Sequence, residues 1–334
     1  MDATKDNILD RDALIGLLTT TPAEELYRQA DAVRHDNVGD EVHLRGLIEF
    51  TNICRNNCLY CGIRRDNGKV KRYRMSEQEV VETARRATTL GFQTIVLQGG
   101  EDMHFDQTRL CHVIEQIKAM DVALTLSIGE RSYNDYKAMR EAGADRYLMR
   151  IETTDRELYH RLNPGMSWQR RHECLLMIRE LGFELGSGIM VGLPGQSAES
   201  IADDLLYLKD IRIDMAGIGP FIPHPDTPMA GETGGTLEMA MRTMAAMRLL
   251  MPDINIPATT AMESLHPKGR ILALQAGANV VMPNVTEGEY RRLYELYPGK
   301  ICVNDTPVHC RSCIGMKIRS IGRTIGQGKG GHRR

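Results

Sequence analysis

The sequence predicts an α/β protein built as a full (β/α)8 TIM-type barrel, with an N-terminal helical cap before it and a C-terminal extension after it. Three observations lead there. Short apolar, β-branched runs alternate with amphipathic helical stretches, an order that implies a parallel sheet. Leu90-Gly91, Ala142-Gly143, Leu181-Gly182 and Ala276-Gly277 each stand just ahead of such a run, and Gly suits the left-handed position that ends a helix. The chain has 334 residues, whereas a closed barrel uses about 250. Chain therefore remains for two extensions, and a partial barrel is the alternative.

In chain order, Ile8, Leu9, Leu14, Ile15, Leu17, Leu18, Leu26 and Ala30 recur at helical spacing with a break over 19–22. They predict two or three helices in a cap covering 1–41. The pattern then changes to a period of two at Val42, Leu44, Gly46, Ile48 and Phe50, the mark of a strand. Ser76 and Glu79 form a capping box for a helix with Val80, Val81, Ala84 and Ala87 on one face. Further strands are predicted at 94–97, 123–127, 146–149, 184–189, 215–218, 255–257 and 280–282. Helices are expected near 106–120, 133–142, 167–181, 198–209, 237–250 and 268–276, which sets the barrel at 42–290. The proline-rich run 219–228 reads as a stiff loop over the barrel mouth. The extension is 291–334, and its last six residues, 329–334, read as a disordered basic tail.

Composition excludes several classes. Lys+Arg 42 against Asp+Glu 44 gives a net charge of -2, without the basic field of a nucleic-acid binder. The first residues are polar and acidic rather than basic then apolar, and no run of about 18 apolar residues occurs. A soluble cytoplasmic protein with no membrane partner is expected. Of eight cysteines, six fall into two tight triplets, and in a reducing compartment that pattern reads as metal ligands rather than disulfides.

Cys54, Cys58 and Cys61 follow the first strand directly, with Tyr60 before the last thiol. A zinc site wants four protein ligands, yet between His43 and His104 there is no histidine and no further cysteine. A cubane iron-sulfur cluster also takes four. With three thiolates, one iron keeps a position for a ligand that is not protein, and the amino and carboxylate groups of S-adenosylmethionine (SAM) suit it. The spacing Cys-x3-Cys-x2-Cys with an aromatic before the third cysteine resembles the radical SAM superfamily. A zinc knuckle lacking one ligand and a redox Cys-x-x-Cys are the weaker readings.

Reactive groups in such barrels stand at the C-terminal strand ends. The second strand ends in Gln98-Gly99-Gly100-Glu101, where bare backbone and an acid suit the SAM ammonium; an ordinary turn would look the same. Arg150 and Glu152 follow the fourth strand two apart, so they point the same way. They offer a guanidinium fork for a carboxylate and an acceptor for an ammonium, against the alternative of a structural ion pair. Arg171 on the next helix is a second carboxylate partner. The run Gly186-Ser187-Gly188-Ile189-Met190-Val191-Gly192 has glycines at alternate positions, a bare face for adenine with Met190 and Gly192 as contacts; close strand packing is the alternative. Thr125, Ser127, Arg146, Thr259 and Thr260 would give the cavity hydroxyls and a cation. Cys302, Cys310 and Cys313 form the second triplet, read as a second iron-sulfur cluster, 2Fe-2S or 4Fe-4S, or a zinc site completed by His309. Cys111 and Cys174 fall on helices as small buried apolar residues.

From Gly46 to Cys313 the chain resembles the HydE family, radical SAM maturases of FeFe hydrogenase. The stretches that carry this are IEFTNICRNNCLYCGIRRDN, KRYRMS, TIVLQGGED, AGADRYLMRIET, MVGLPGQ, GIGPFIPHPDTP, NIPATTAM, GANVVMPN and LYPGKICV. The resemblance implies that Cys54, Cys58 and Cys61 hold a 4Fe-4S cluster and that Glu152 and Arg171 grip the SAM amino-acid group. It also implies that Thr125, Ser127, Arg146, Thr259, Thr260 and Tyr294 line the substrate cavity. The implied chemistry is reductive SAM cleavage to a 5'-deoxyadenosyl radical acting on the sulfur of a small iron-cysteine species carrying CO and cyanide. Implied partners are a ferredoxin- or flavodoxin-like donor and other hydrogenase maturation proteins. The second triplet is present in some family members only. A methylornithine synthase-like lysine mutase is the runner-up, and a non-catalytic iron-sulfur scaffold a further alternative; biotin synthase fits poorly, because neither Cys111 nor Cys174 is predicted at a strand end.

Overall fold

The computed structural model describes residues 9–332. Its first half contains α1 (Arg11–Thr19), α2 (Ala23–Val38), β1 (Glu41–Leu44), β2 (Gly46–Thr51), α3 (Glu77–Thr89), β3 (Thr94–Gly99), α4 (Gln107–Lys118), β4 (Ala123–Ser127), α5 (Tyr133–Glu141), β5 (Arg146–Leu148), α6 (Arg156–Leu162) and α7 (Trp168–Glu180). The second half adds β6 (Glu184–Val191), α8 (Ala198–Asp210), β7 (Met215–Pro220), α9 (Leu237–Leu250), α10 (Thr260–Leu265), α11 (Gly269–Leu274), β8 (Val280–Val281), α12 (Gly288–Leu293), α13 (Pro307–Ser320) and β9 (Thr324–Ile325).

Strands β2 to β7 pair in sequence order, all parallel. From β7 the backbone pairing continues through 255–257, where Ala216 N donates to Asn255 O (2.9 Å) and Ala258 N to Val280 O (2.9 Å). It returns to β2 where Leu47 N donates to Pro283 O (2.9 Å) and Val285 N to Leu47 O (2.8 Å). All eight segments expected of the (β/α)8 barrel are therefore linked in one ring, 255–257 by isolated parallel bridges and β8 by a short parallel ladder with β1 and, just after it, a bridge to β2. The strand expected over 42–50 is two: β1 joins β8 and β9, while β2 joins β3. The break falls at buried Arg45, whose Nη2 donates to Gly330 O at 3.0 Å.

Local chemistry explains the helices. Ser76 with Glu79, and Ser132 with Asp135, close full capping boxes on α3 and α5; Asp106 and Ser167 cap α4 and α7. Each such cap stabilises its helix by about 1 kcal/mol. Val80, Val81, Ala84 and Ala87 of α3 are buried, as their spacing requires. Helices α1 and α2 pack on the barrel's flank, with Leu26 and Ala30 against Ala245 of α9 and Arg11 paired to Asp203 of α8; Ile8 lies outside the described residues. Helices α6, α10 and α12 are not foreseen from sequence, having too few turns to show a period. Helix α13 had a legible start in Thr306-Pro307, N-cap and first turn. Gly219 and Pro220 extend β7, so only the rest of the proline-rich run is loop.

The tail is a correction. Residues 329–332 are bound at the N-terminal end of the barrel strands rather than disordered; 333–334 lie outside the described residues. Lys329 O accepts from Thr94 Oγ1 and from Arg146 Nη2, both at 2.8 Å, and Gly330 O accepts from Arg45. A Cβ on Gly330 would stand 2.6 Å from the His43 ring, so a glycine is needed for this approach. His332 Nδ1 lies 2.8 Å from Asp214 and Nε2 3.3 Å from Asp253. The buried guanidinium groups here need acceptors, and the tail backbone provides them.

Deleting residues 329–334 should leave these donors unsatisfied, at about 1–3 kcal/mol for a buried one, and lower the melting temperature by several degrees; an unchanged transition would show that the tail contributes no stability. Asp214 and then Asp253 raise the His332 pKa against burial. That stabilisation is fully present below the unfolded histidine pKa and is lost as pH rises through the folded value. His332→Ala should therefore destabilise the protein more at pH 6 than at pH 9.

Candidate functional site

The cysteine loop leaves β2 and is fastened to the neighbouring strand end. Gly100 makes the close approach possible: a Cβ there would lie 2.2 Å from Ile53 O and 2.9 Å from Cys54 Cβ. Glu101 then ties the loop down. Its carboxylate accepts from Arg55 and, at 2.9 Å, from Asn56 Nδ2 and Glu130 N, while Arg55 N donates to Glu101 O at 3.1 Å. The Arg72 guanidinium closes the far side, donating to the carbonyls of Asn52 (2.7 Å) and Ile63 (2.8 Å). The Glu101 carboxylate is thus occupied by the chain itself, and only the surrounding backbone is left for the ligand role expected of the Gln98-Gly99-Gly100-Glu101 turn.

Cys54, Cys58 and Cys61 face one cavity of about 400 Å3 at the C-terminal end of the strands. Burial raises the pKa of all three thiols, that of Cys58 to about 12. Three bare thiolates are therefore disfavoured, and the positive charge of a metal group is what would let them ionise. The three cysteines line a cavity with room beside them for a further ligand. The donor set fits a larger, multi-iron group.

The groups expected to hold SAM converge on the same cavity. Arg150, Glu152, Arg171, Gln98, Gly99, Gly100, Glu101, Tyr60 and Met190 all line it. Arg171 donates Nε to Glu130 Oε1 (2.7 Å) and Nη1 to Arg150 O (2.8 Å); burial lowers its pKa, but Tyr159 and Glu130 outweigh that and keep it charged. Glu152 Oε1 accepts from Arg150 Nε at 3.2 Å, whereas Oε2 is buried with no partner. An unsatisfied buried carboxylate oxygen beside a cavity calls for a donor from a ligand. Tyr60 directs its hydroxyl to Asn163 Oδ1 at 2.9 Å.

Gly192 is absent from the cavity wall. Its N–H donates to Gln196 Oε1 (2.7 Å), and a Cβ would stand 2.2 Å from Gly235 Cα, so it serves a turn against the 234–235 loop. A Cβ on Gly188 would meet Gly217 O at 2.0 Å, the close strand packing weighed as the alternative. The bare glycine face that does border the cavity belongs to β7, through Gly217 and Gly219.

Of the hydroxyl and cationic groups, Ser127, Thr259, Thr260 and Tyr294 line the cavity, and Thr259 Oγ1 is buried without a partner. Thr125 and Arg146 do not. Both sit too early in their strands: Thr125 is in register with Arg146, whose guanidinium pairs with Glu184 (2.8 Å) and the tail at the opposite end of the barrel. Reading by sequence missed Glu130, although Gly129-Glu130 repeats the strand-end Gly-Glu of β3. It also missed Glu49, which takes Lys300 Nζ (2.5 Å) and Asn284 Nδ2 (2.6 Å) at the cavity. Burial raises the Glu49 pKa against those partners. Its signal was a lone acid between the apolar positions of a strand.

At the second triplet, Cys302 and Cys310 are joined by Asp305, all three donor atoms within 4.8 Å of one another. Cys313 borders the same cavity. His309 is exposed and outside this group, so Asp305 is the extra donor that sequence reading sought there. Arg291 Nη2 donates to Cys310 Sγ at 2.9 Å. The hydrogen bond from Cys302, aided by Arg291, lowers Cys310 to about 6 and raises Cys302. Cys174 is fully buried, as expected, whereas Cys111 is only half-buried.

The geometry agrees with the comparisons. The Radical SAM superfamily model matches residues 48–208, and the Biotin and Thiamin Synthesis associated domain matches 218–305. The chain is 51% identical over 311 residues to the [FeFe] hydrogenase maturase subunit HydE of Thermotoga maritima, covering 93% of this chain and 89% of that protein. It is 30% identical over 275 residues to 3-methylornithine synthase of Methanosarcina acetivorans, covering 81% and 77%. The crystal structure of methylornithine synthase superposes with a TM-score of 0.83 at 26% identity, covering 96% of this chain and 94% of that one.

Gly100→Ala should displace the loop from β3 and prevent full iron loading on anaerobic reconstitution, while Gly68→Ala, which meets nothing within 4 Å, should load normally. Iron content and the visible absorption of the reconstituted protein check this; equal loading of both variants would remove the steric role assigned to Gly100.

Proposed function

The chain belongs to the HydE family of the radical SAM superfamily, and from that premise we propose that its cavity receives a small iron-cysteine species carrying CO and cyanide, which reacts at sulfur during assembly of the FeFe-hydrogenase cluster. The observation that carries this is the 51% identity to a HydE maturase over nearly the whole chain, against 30% to a 3-methylornithine synthase. The chain is a radical SAM enzyme. When bound, the 4Fe-4S cluster and SAM supply one electron and, by SAM cleavage, a 5'-deoxyadenosyl radical.

The protein's own residues bind, orient and exclude water. Cys54, Cys58 and Cys61 would hold three irons as thiolates, leaving the fourth for the amino-acid end of SAM. Glu152 would take the ammonium on its unpartnered Oε2, and the Arg150 and Arg171 guanidinium groups would take the carboxylate, a charge-assisted pairing in a poorly hydrated site. Backbone at Gln98, Gly99 and Gly100 and the side chains of Tyr60 and Met190 would border the nucleoside. Ser127, Thr259, Thr260 and Tyr294, with Glu49 and Lys300, supply polar groups for the substrate, while Leu47, Leu148 and Met282 keep the rest of the wall apolar. No side chain is assigned as acid or base.

Cys302, Cys310 and Cys313, with Asp305, would hold a second iron-sulfur cluster that is dispensable for SAM cleavage. The partners in this reading are a ferredoxin- or flavodoxin-like donor and the other hydrogenase maturation proteins, in the cytoplasm; no helix among the described residues is long and apolar enough to cross a membrane.

Maturation of apo-hydrogenase in vitro, with and without this protein, tests the proposal: hydrogenase activity that does not depend on it overturns the maturase reading, and 3-methylornithine formed from lysine would replace it with the mutase. Cys58→Ala should abolish 5'-deoxyadenosine formation from SAM with dithionite, because a cluster ligand is gone. Cys310→Ala should keep most of it, since its sulfur belongs to the second site. A wild-type protein that yields no 5'-deoxyadenosine would instead be a scaffold.

A further inference from the structure

Glu152 adopts a backbone conformation that residues with a side chain seldom take, φ +68°. Its N–H donates to Gly188 O and its carbonyl accepts from Met190 N, both at 3.1 Å. Those bonds fix one side of the residue against β6. The other side is gathered by Asp204 of α8. Asp204 Oδ1 accepts from Thr154 N (2.6 Å), Thr154 Oγ1 (2.6 Å) and Thr153 Oγ1 (3.3 Å). Three hydrogens converge on one oxygen, and all come from the two residues after Glu152.

Asp204 itself is fully buried, and its Oδ2 has no partner. Burial lifts its pKa to about 6 against the three hydrogen bonds. A raised carboxyl pKa means that the group's contribution to stability is present below the unfolded value and lost as pH rises through the folded one. At neutral pH the group is therefore a cost to folding. Strain and unsatisfied polar groups persist where the surrounding structure enforces them, and they cluster at functional sites. What this one secures is the turn that sets Glu152.

We propose that Asp204 is a positioning residue for SAM: by clamping Thr153 and Thr154 it holds Glu152 in the left-handed conformation that presents its unpartnered carboxylate oxygen at the cavity. This rests on the reading of Glu152 as the acceptor of the SAM ammonium. Asp204 touches neither ligand nor cluster, and acts through Glu152 alone. Replacing a residue that orients a metal ligand changes affinity by about 10- to 100-fold, and the same kind of leverage on the Glu152 carboxylate sets the scale here.

The test uses the full-length, anaerobically reconstituted protein, with SAM dissociation constants taken from the change SAM makes in the reduced cluster's EPR signal. Melting temperatures are measured on the same variants. Asp204→Ala should weaken SAM on the order of tenfold. Asp204→Asn, which keeps a carbonyl oxygen for the three hydrogens, should stay within about twofold, and Thr154→Val should fall between them. The double variant Asp204→Ala/Glu152→Gln should bind SAM no more weakly than Glu152→Gln, because residues acting through one another are not additive.

Additive losses in the double variant overturn the proposal. So does a lower melting temperature for Asp204→Ala with unchanged SAM affinity, which makes the residue structural only. An Asp204→Asn defect equal to that of Asp204→Ala overturns the clamp as the mechanism. If Asp204→Ala fails to fold, Asp204→Asn and Thr154→Val, each alone and with Glu152→Gln, carry the same comparison. Normal SAM affinity in Glu152→Gln would overturn the ammonium-acceptor reading itself, a failure distinct from those of Asp204.

Discussion

The site depends on one buried carboxylate. Glu101, at the end of β3, is almost wholly out of water, where an unpaired charge would cost several kcal/mol. Its acceptor positions are filled from two directions, by Arg55 and Asn56 of the cysteine loop and by the backbone of Glu130 after β4. Glu130 then pairs with Arg171, Arg171 donates to the Arg150 carbonyl, and Arg150 to Glu152. A single run of charge-assisted bonds thus links the thiols to the acid and guanidinium groups placed for a ligand. Clearance is as necessary as bonding, since a Cβ on Gly129 would stand 2.2 Å from Glu101 Oε2.

The two ends of the barrel are treated differently. At the N-terminal end of the strands, the backbone of the protein's own tail accepts from Arg45 Nη2, Arg146 Nη2 and Thr94 Oγ1, while Arg45 Nε keeps no partner. At the C-terminal end, Glu152 Oε2 and Thr259 Oγ1 are left unsatisfied beside the cavity. Polar groups of the same kinds meet the tail at one end and border the cavity at the other. Position along a strand, rather than residue type, decides which.

Much of the fold was legible because its signals are local. The eight strand segments were visible as short apolar runs, and the caps at Ser76, Asp106, Ser132 and Ser167 follow directly from residue type. What escaped was short or long-range. Helices of one or two turns leave no period to read, and the tail looked disordered because glycine and basic residues have no apolar pattern; its order comes from acceptors offered to arginines 285 and 183 residues away.

The sequence by itself determined the barrel order and the close spacing of Cys54, Cys58 and Cys61, since both depend on patterns within a few residues. It also named Arg150 and Glu152 together from their two-residue spacing on chain taken as extended, whereas Glu152 is left-handed at φ +68° and meets Arg150 through that turn. Only the tertiary structure decided that Arg146 and Thr125 lie away from the cavity, that Gly192 makes a turn while Gly217 and Gly219 border the cavity, that Glu130 pairs with Arg171, and that Asp305 stands beside Cys302 and Cys310. Those outcomes depend on how far each strand is shifted against its neighbour. Strand register is set by the closure of the whole ring, and no local pattern encodes it.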